Sequence, residues 1–571
     1  MKSRRSKDFI RFVLVLAIVI LVNIIGSLKF FRLDLTAEKR YSLSDATKNL
    51  LESFDEILYV KIYLEGDFPA GFQRLQRETK QMLDEFRAYN PRIEYEFINP
   101  DEGEDLEVNE DIKEQLQFKG LKPYQIKVND KGGSSTSDLF PGAIMSFGDR
   151  ETPVLLLLDQ IGVSPESQIN SSIQTLEFTL ANAIRSLVVQ ARPTVGFLQG
   201  HGELEPRFVA DFARTLYENY DVDKFDIRKF KSDSTGEQVS ILGQQRRLNR
   251  FDALIIAKPK RPFSDLDKFL IDQYAMNGGK LIWLIDAVHA EMDSLTKRAQ
   301  FLAYPTIDQL RISDLLFKYG VRINTNLVQD AIAGGVSDRK SINKWVYFPL
   351  IMPQVKHPIT KDLNAIHLNF ASTVDTIIAK GIKKTILMKT SPYSAISPTP
   401  HMVNLGKLYN EPPQSYFNKQ NLPVGVLLEG EFESAFKNRL LPKENSGEEI
   451  YIKEKGDFTQ MLVIGDGDII RNQLSIVDPN IAKGTPLPLG YDQFTGQQYG
   501  NRDLLLNAVD YMLDDSGLIS IRSRELKLRL LNPQKVKTEK GFWKLLNTLV
   551  PVLLIVIIGL ILTYLRKRKY A

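Results

Sequence analysis

No cysteine occurs in the 571 residues. That absence excludes disulfides, Cys-liganded zinc, iron–sulfur clusters, lipid attachment through a thiol and every cysteine nucleophile. Histidine is scarce: the five copies, at 201, 289, 357, 367 and 401, show no HxxH or HExxH spacing. A GxxxxGK[ST] loop is absent, so the chain is not itself an ATPase of that class. No GxSxG elbow is present, and Ser164 and Ser391 lack the local pattern of an activated nucleophile. An excess of one charge is missing too, with 74 basic against 70 acidic residues. Much of the small surplus lies in the two tails, so nucleic acid is not an expected partner. No cofactor or metal is expected, and no enzymatic activity.

What the chain does have is a long apolar run at each end. The first, 9–31, is uncharged between Arg11 and Lys29 and follows a basic head of Lys2, Arg4, Arg5 and Lys7. At 1.5 Å per residue it is just long enough to cross a hydrocarbon core of about 30 Å. It is longer than a signal-peptide core, and no small-x-small cleavage site follows, so an uncleaved helix is expected. The second run, 545–565, is flanked by Trp543 and Tyr564 and ends in Arg566, Lys567, Arg568 and Lys569. Two basic outer ends predict a two-pass protein of the bacterial inner membrane with both termini cytoplasmic. Everything between is then periplasmic, in contact with the lipid bilayer only at its ends.

The intervening residues read as α/β. Strand-like 57–66, an amphipathic helix over 72–89 and a strand at 93–100 form a β-α-β order. A polar helix follows at 106–118, then a strand at 124–128. A Gly/Ser turn at 131–137 joins sheet-like segments, which continue at 142–148 and 152–158. The helix 169–189 leads to a second unit with an apolar strand at 194–200, the segment 222–227, and near-continuously apolar strands at 252–259 and 280–286. Helices at 207–220 and 264–276 alternate with them, which predicts a parallel sheet covered on both faces. After a helix at 310–319, residues 330–460 read as an irregular elaboration, with strand candidates at 369–374, 384–389 and 424–429. The segment 461–470 restores the sheet pattern, and 501–513 is the last helix before the membrane. The expected division is a head and first membrane helix (1–31), a first α/β domain (32–165), a second α/β domain (166–516), a linker (517–541), and a second membrane helix with its tail (542–571).

Several polar groups stand just beyond apolar strands: His201 and Glu203, Asp286, and Asp466 and Asp468. The carboxyl ends of parallel strands form the usual ligand crevice. If the strands are neighbours these groups converge, and a histidine with carboxylates can hold a hard cation or act as an acid–base pair. Capping and loop hydrogen bonding are the plainer uses of the same residues.

The order of motifs resembles the GldG family, gliding-motility-associated ABC transporter components of Bacteroidetes. The resemblance runs through DLT (34–36), KRYSLS (39–44), FLQGHGE (197–203), DALII (252–256), GGKLIWLID (278–286), VIGDGD (463–468) and NRD (501–503). It implies a non-ATPase, extracytoplasmic accessory subunit of substrate-binding type. Its implied partners are an ABC permease subunit, a separate cytoplasmic ATPase and an unknown ligand. The second domain resembles the GIFT domain shared with a ciliary intraflagellar transport protein and is similar to amidotransferase-like folds. The glutaminase cysteine of those folds has no counterpart here, which implies binding or scaffolding, with a structural adaptor role or a membrane-anchored hydrolase as alternatives.

Overall fold

The structure is a computed structural model that describes residues 9–21, 43–66, 68–101, 106–130, 133–158, 164–189, 192–231, 238–297, 300–337, 341–353, 355–439, 441, 450–479, 481–514, 517–523 and 533–570. The motif residues 34–42 and the part of the first apolar run beyond Leu21 lie outside them.

The first sheet has four strands in the order Ile93–Phe97, Leu58–Ile62, Gly142–Phe147, Arg150–Leu155. The first two are parallel and are joined by the helix Ala70–Tyr89, which seats Phe72, Leu75, Leu83 and Phe86 on the core. The expected helix at 106–118 is present as Leu106–Phe118. Instead of a turn over 131–137, Gly133–Leu139 is a strand paired with Tyr124–Asp130. A two-stranded ribbon needs no buried face, so its Ser/Thr-rich strand lacks the apolar alternation that marks a strand in sequence.

The helix Pro165–Val188, capped by Ser164, was expected to open the second unit. It instead buries Leu176, Leu180, Ile184 and Leu187 in the core of the first sheet. Its Glu177 accepts hydrogen bonds from the Ser44 amide (2.7 Å) and the Thr47 hydroxyl (2.8 Å), tying it to the helix Asp45–Glu52.

The second sheet has seven strands in the order Ile382–Lys389, Pro423–Glu433, Lys455–Ile464, Lys280–Leu284, Ala253–Ala257, Thr194–Gln199, Asp221–Asp226. Its last five are parallel, as expected, but Pro423–Glu433 pairs antiparallel with both of its neighbours, so the sheet is mixed. Parallel neighbours need a crossover, usually a helix. The chain around 382–455 offers strands and short turns instead. Alternate residues of the central strands enter two cores. Leu254, Ile256, Leu281, Trp283, Met461 and Val463 meet the helix Asp265–Met276 on one face. On the other, Ile255, Ile282, Leu284, Leu462 and Ile464 meet Asn501–Leu513 and Ala210–Tyr217.

Other elements depart from the sequence reading for local reasons. Pro206 opens a 3-10 turn, so the α-helix starts only at Ala210. Arg311 sits at φ 59° and separates Ile307–Leu310 from Ser313–Tyr319, so the helix expected at 310–319 starts only at Ser313. Ile241–Leu248 is a further helix, capped by Ser240. The region 330–460 is largely paired: Asn326–Asp330 joins Ser394–Pro398, and Ala333–Ser337 joins Ile342–Ile351. Within 369–374, only Val374 is in a strand, because Phe370 takes φ 53° and the Ser372 amide turns to the Gly465 carbonyl.

The C-terminal helix, a compact unit with little else, runs Pro533–Tyr570 and so begins before residue 542. Its span Thr538–Arg568 is long and apolar enough to cross a membrane. At the other end the described helix Phe9–Leu21 is shorter, 13 residues or about 20 Å.

Candidate functional site

The groups expected to converge fall into two networks, and strand order is the reason. The strand that precedes Asp286 lies beside the one that precedes Asp466 and Asp468. The strand that precedes His201 is separated from them by Ala253–Ala257. Each group leaves its strand toward its own neighbours.

In the first network the three carboxylates Asp286, Asp466 and Asp468 offer oxygens within 4.8 Å of one another. Lys258, just past the strand Ala253–Ala257, reaches into the cluster from a left-handed backbone at φ 53°. Its Nζ lies 2.6 Å from Asp468 Oδ2, 3.0 Å from Asp286 Oδ2 and 3.8 Å from Glu291 Oε1. Backbone amides supply the rest. Asn369 and Asp468 donate to the two oxygens of Asp466, each at 2.7 Å, and Gly467 donates to Asp286 Oδ1. Gly467 is needed for the approach, since a Cβ there would stand 2.8 Å from the Lys258 side chain.

Electrostatics follow from burial. Desolvation opposes the Lys258 charge, but Asp286 and Asp468 outweigh it and raise its pKa above the ordinary lysine value. Burial raises Asp286, with Lys258 opposing. Burial and the charges of Asp286 and Asp468 push Asp466 well above the carboxylate range. Burial and mutual repulsion thus disfavour charge on Asp286 and Asp466, and the Lys258 ammonium stands where a bound cation would otherwise lie.

The second network centres on His201, which is fully buried. Its Nε2 is 3.0 Å from Asp267 Oδ2 and its Nδ1 is 3.2 Å from Glu203 Oε1. The ring stacks on Phe263 at 3.6 Å. Asp267 also caps its own helix, accepting from the Ser264 amide, and takes Arg228 at 2.9 Å. Burial works against the charged ring, but hydrogen bonds to Asp267 and Glu203 prevail and raise the His201 pKa. Burial likewise works to raise Asp267, but His201, the Ser264 amide and Arg228 hold it at about 2. The loop from Lys258 runs past both networks: the amides of Lys260 and Arg261 donate to the His201 carbonyl at 2.8 and 2.7 Å.

The sequence reading missed Lys258, Asp267 and Arg228. Lys258 had a usable signal, being a charge at the end of an apolar strand. Asp267 stood in a Ser-x-x-Asp capping box, where its second partner, 66 residues away, left no local trace.

Replacing Lys258 by Met leaves the carboxylates without their cation, at an expected cost of about 3–5 kcal/mol at neutral pH. The variant's carboxyls keep their protons to higher pH when folded than when unfolded, so its stability falls as pH rises. Chemical denaturation at pH 5 and 7 should show the larger deficit at pH 7. For His201 the raised folded pKa makes its contribution full below about pH 6.5 and lost as pH climbs through the folded value. The wild-type melting temperature should fall across that alkaline window by a step absent from His201→Gln.

Comparison with known proteins places these sites in a family. Residues 37–146 match a domain of unknown function, DUF7088. An uncharacterized protein of Borreliella burgdorferi is 21% identical over 600 positions, covering 99% of each chain. The mmIFT52 N-terminal domain aligns with 56% of this chain and 96% of its own at 11% identity; the TM-score of 0.30 does not equate the two folds. Residues 192–508, more than half of the chain and including both networks, match the family described as an ABC-type uncharacterized transport system, and the chain belongs to that family.

Proposed function

We propose that the protein is a non-catalytic, membrane-anchored extracytoplasmic subunit of an ABC-type transport complex, coupled to a separate permease and a cytoplasmic ATPase. The observation that carries this reading is the family match over 192–508. It is supported by the apolar helix Thr538–Arg568 and by a sequence without a phosphate-binding loop of the ATPase kind. Energy from ATP then reaches this chain through a partner. Family membership also agrees with an accessory, non-enzymatic role. The finer assignment, a link to gliding motility and a GIFT-type second domain, rests on the sequence motifs. The division into two extracytoplasmic α/β domains belongs to the same proposal, with the helix Pro165–Val188 counted with the first because it shares that core.

As ligand contacts, His201, Glu203, Asp286, Asp466 and Asp468 are proposed as two separate sets rather than one crevice. A ligand at the three aspartates would have to compete with the Lys258 ammonium, which favours a cationic or amine-bearing group there. Metal bound to the purified protein, with loss of cellular function in Asp466→Ala or His201→Ala, would instead favour the hydrolase reading.

Affinity purification of the tagged chain from gently solubilised membranes should bring down a multi-span permease and an ATPase. Recovery of the chain without them overturns the transport reading in favour of a structural adaptor. Topology is testable against a clean background, since the chain has no native thiol. In Ser415→Cys, at an exposed position of the 3-10 turn Gln414–Tyr416, a membrane-impermeant maleimide should label spheroplasts. Ala571→Cys should react only after lysis if both ends are cytoplasmic.

A further inference from the structure

We propose that a cleft in the strand-rich region between residues 330 and 420 binds a free amino acid with an apolar side chain. The cavity is about 260 Å³, just below the range of drug-sized sites. At about 30 Å³ per water it has room for roughly eight or nine waters, the scale of an amino acid rather than a nucleotide. Val346 from the strand Ile342–Ile351 is buried and forms its floor, with Phe417, Pro412 and Tyr393 as apolar walls. Lys344 and Glu411 stand at the rim, exposed, with Nζ and Oε1 3.9 Å apart.

The walls are held before any ligand arrives. Phe417 packs against the core that contains Trp345 and Tyr347. Tyr393 is 47% exposed, yet its backbone is pinned on both sides. Its amide donates to Ser391 Oγ at 3.0 Å, and its carbonyl accepts from the Ala331 amide at 2.9 Å. Ser391 is in turn anchored on the buried Asp330 by its hydroxyl at 2.6 Å and its amide at 2.8 Å. Pro412 and Pro413 stiffen the opposite loop. An exposed aromatic on so rigid a base is a preorganised contact surface, which lowers the ordering cost of binding.

Charge selects the ligand class. The Lys344–Glu411 pair is long and solvent-exposed, so separating it costs little. A zwitterion can take the place of each partner: its α-carboxylate meets Lys344 and its α-ammonium meets Glu411. Its side chain then lies against Val346, Phe417 and Tyr393. The site uses none of the strand-end groups and does not rest on the transport reading.

Isothermal titration of the full chain in detergent with L-leucine and L-phenylalanine should give saturable binding. Lys344→Met and Glu411→Gln, both at exposed positions, should each weaken it about ten-fold or more while leaving the melting temperature unchanged. N-acetyl-leucinamide, which carries neither charge, should not bind. Absence of binding for both amino acids at millimolar concentration overturns the proposal. So does binding that neither rim variant alters, or equal binding of the neutral analogue.

Discussion

One ammonium holds together the carboxyl end of the second sheet. Lys258 joins the ends of three adjacent parallel strands, because its own strand is followed by Asp286 on one neighbour and by Asp468 one strand further. Carboxylates buried this closely cannot all ionise without compensation. The protein supplies the compensation covalently, through a side chain whose strained backbone is tolerated where Gly467 leaves room for it. The crevice in which open parallel sheets usually receive ligands is therefore already furnished with its own counter-ion.

The His201 network repeats the same logic one strand away. A buried imidazole between Glu203 and Asp267 ties the loop after one strand to the start of the helix Asp265–Met276. The loop 258–261 links the two networks through the His201 carbonyl, so neither is an isolated surface feature. Two buried ionic clusters at one sheet end favour a fixed geometry over an open site. The antiparallel strands Ile382–Lys389 and Pro423–Glu433 extend the same sheet, and the chain before and between them carries the aromatic cleft on a separate core.

Membership of an ABC-type transport family and the apolar C-terminal helix are consistent with a membrane-associated accessory role in transport. The seven-stranded sheet is held from both sides, with one core on each of its faces.

Much of this was legible in the residues. The central parallel strands could be read because a strand buried on both faces is apolar throughout, and helices such as Ala70–Tyr89 and Pro165–Val188 carry their own periodicity. The strand-end positions of His201, Asp286, Asp466 and Asp468 were equally visible. Their partners were not. Strand order is set by packing between segments far apart in the chain, and no local pattern encodes that Asp286 neighbours Asp466 while His201 does not. The same holds for the antiparallel edge and for the helix Pro165–Val188, whose apolar face fits either core until the folded chain chooses one. Sequence alone determined which residues are apolar, charged or absent. Tertiary structure decided which buried charge meets which, because that choice is made by distance and desolvation across elements that sequence spacing cannot measure.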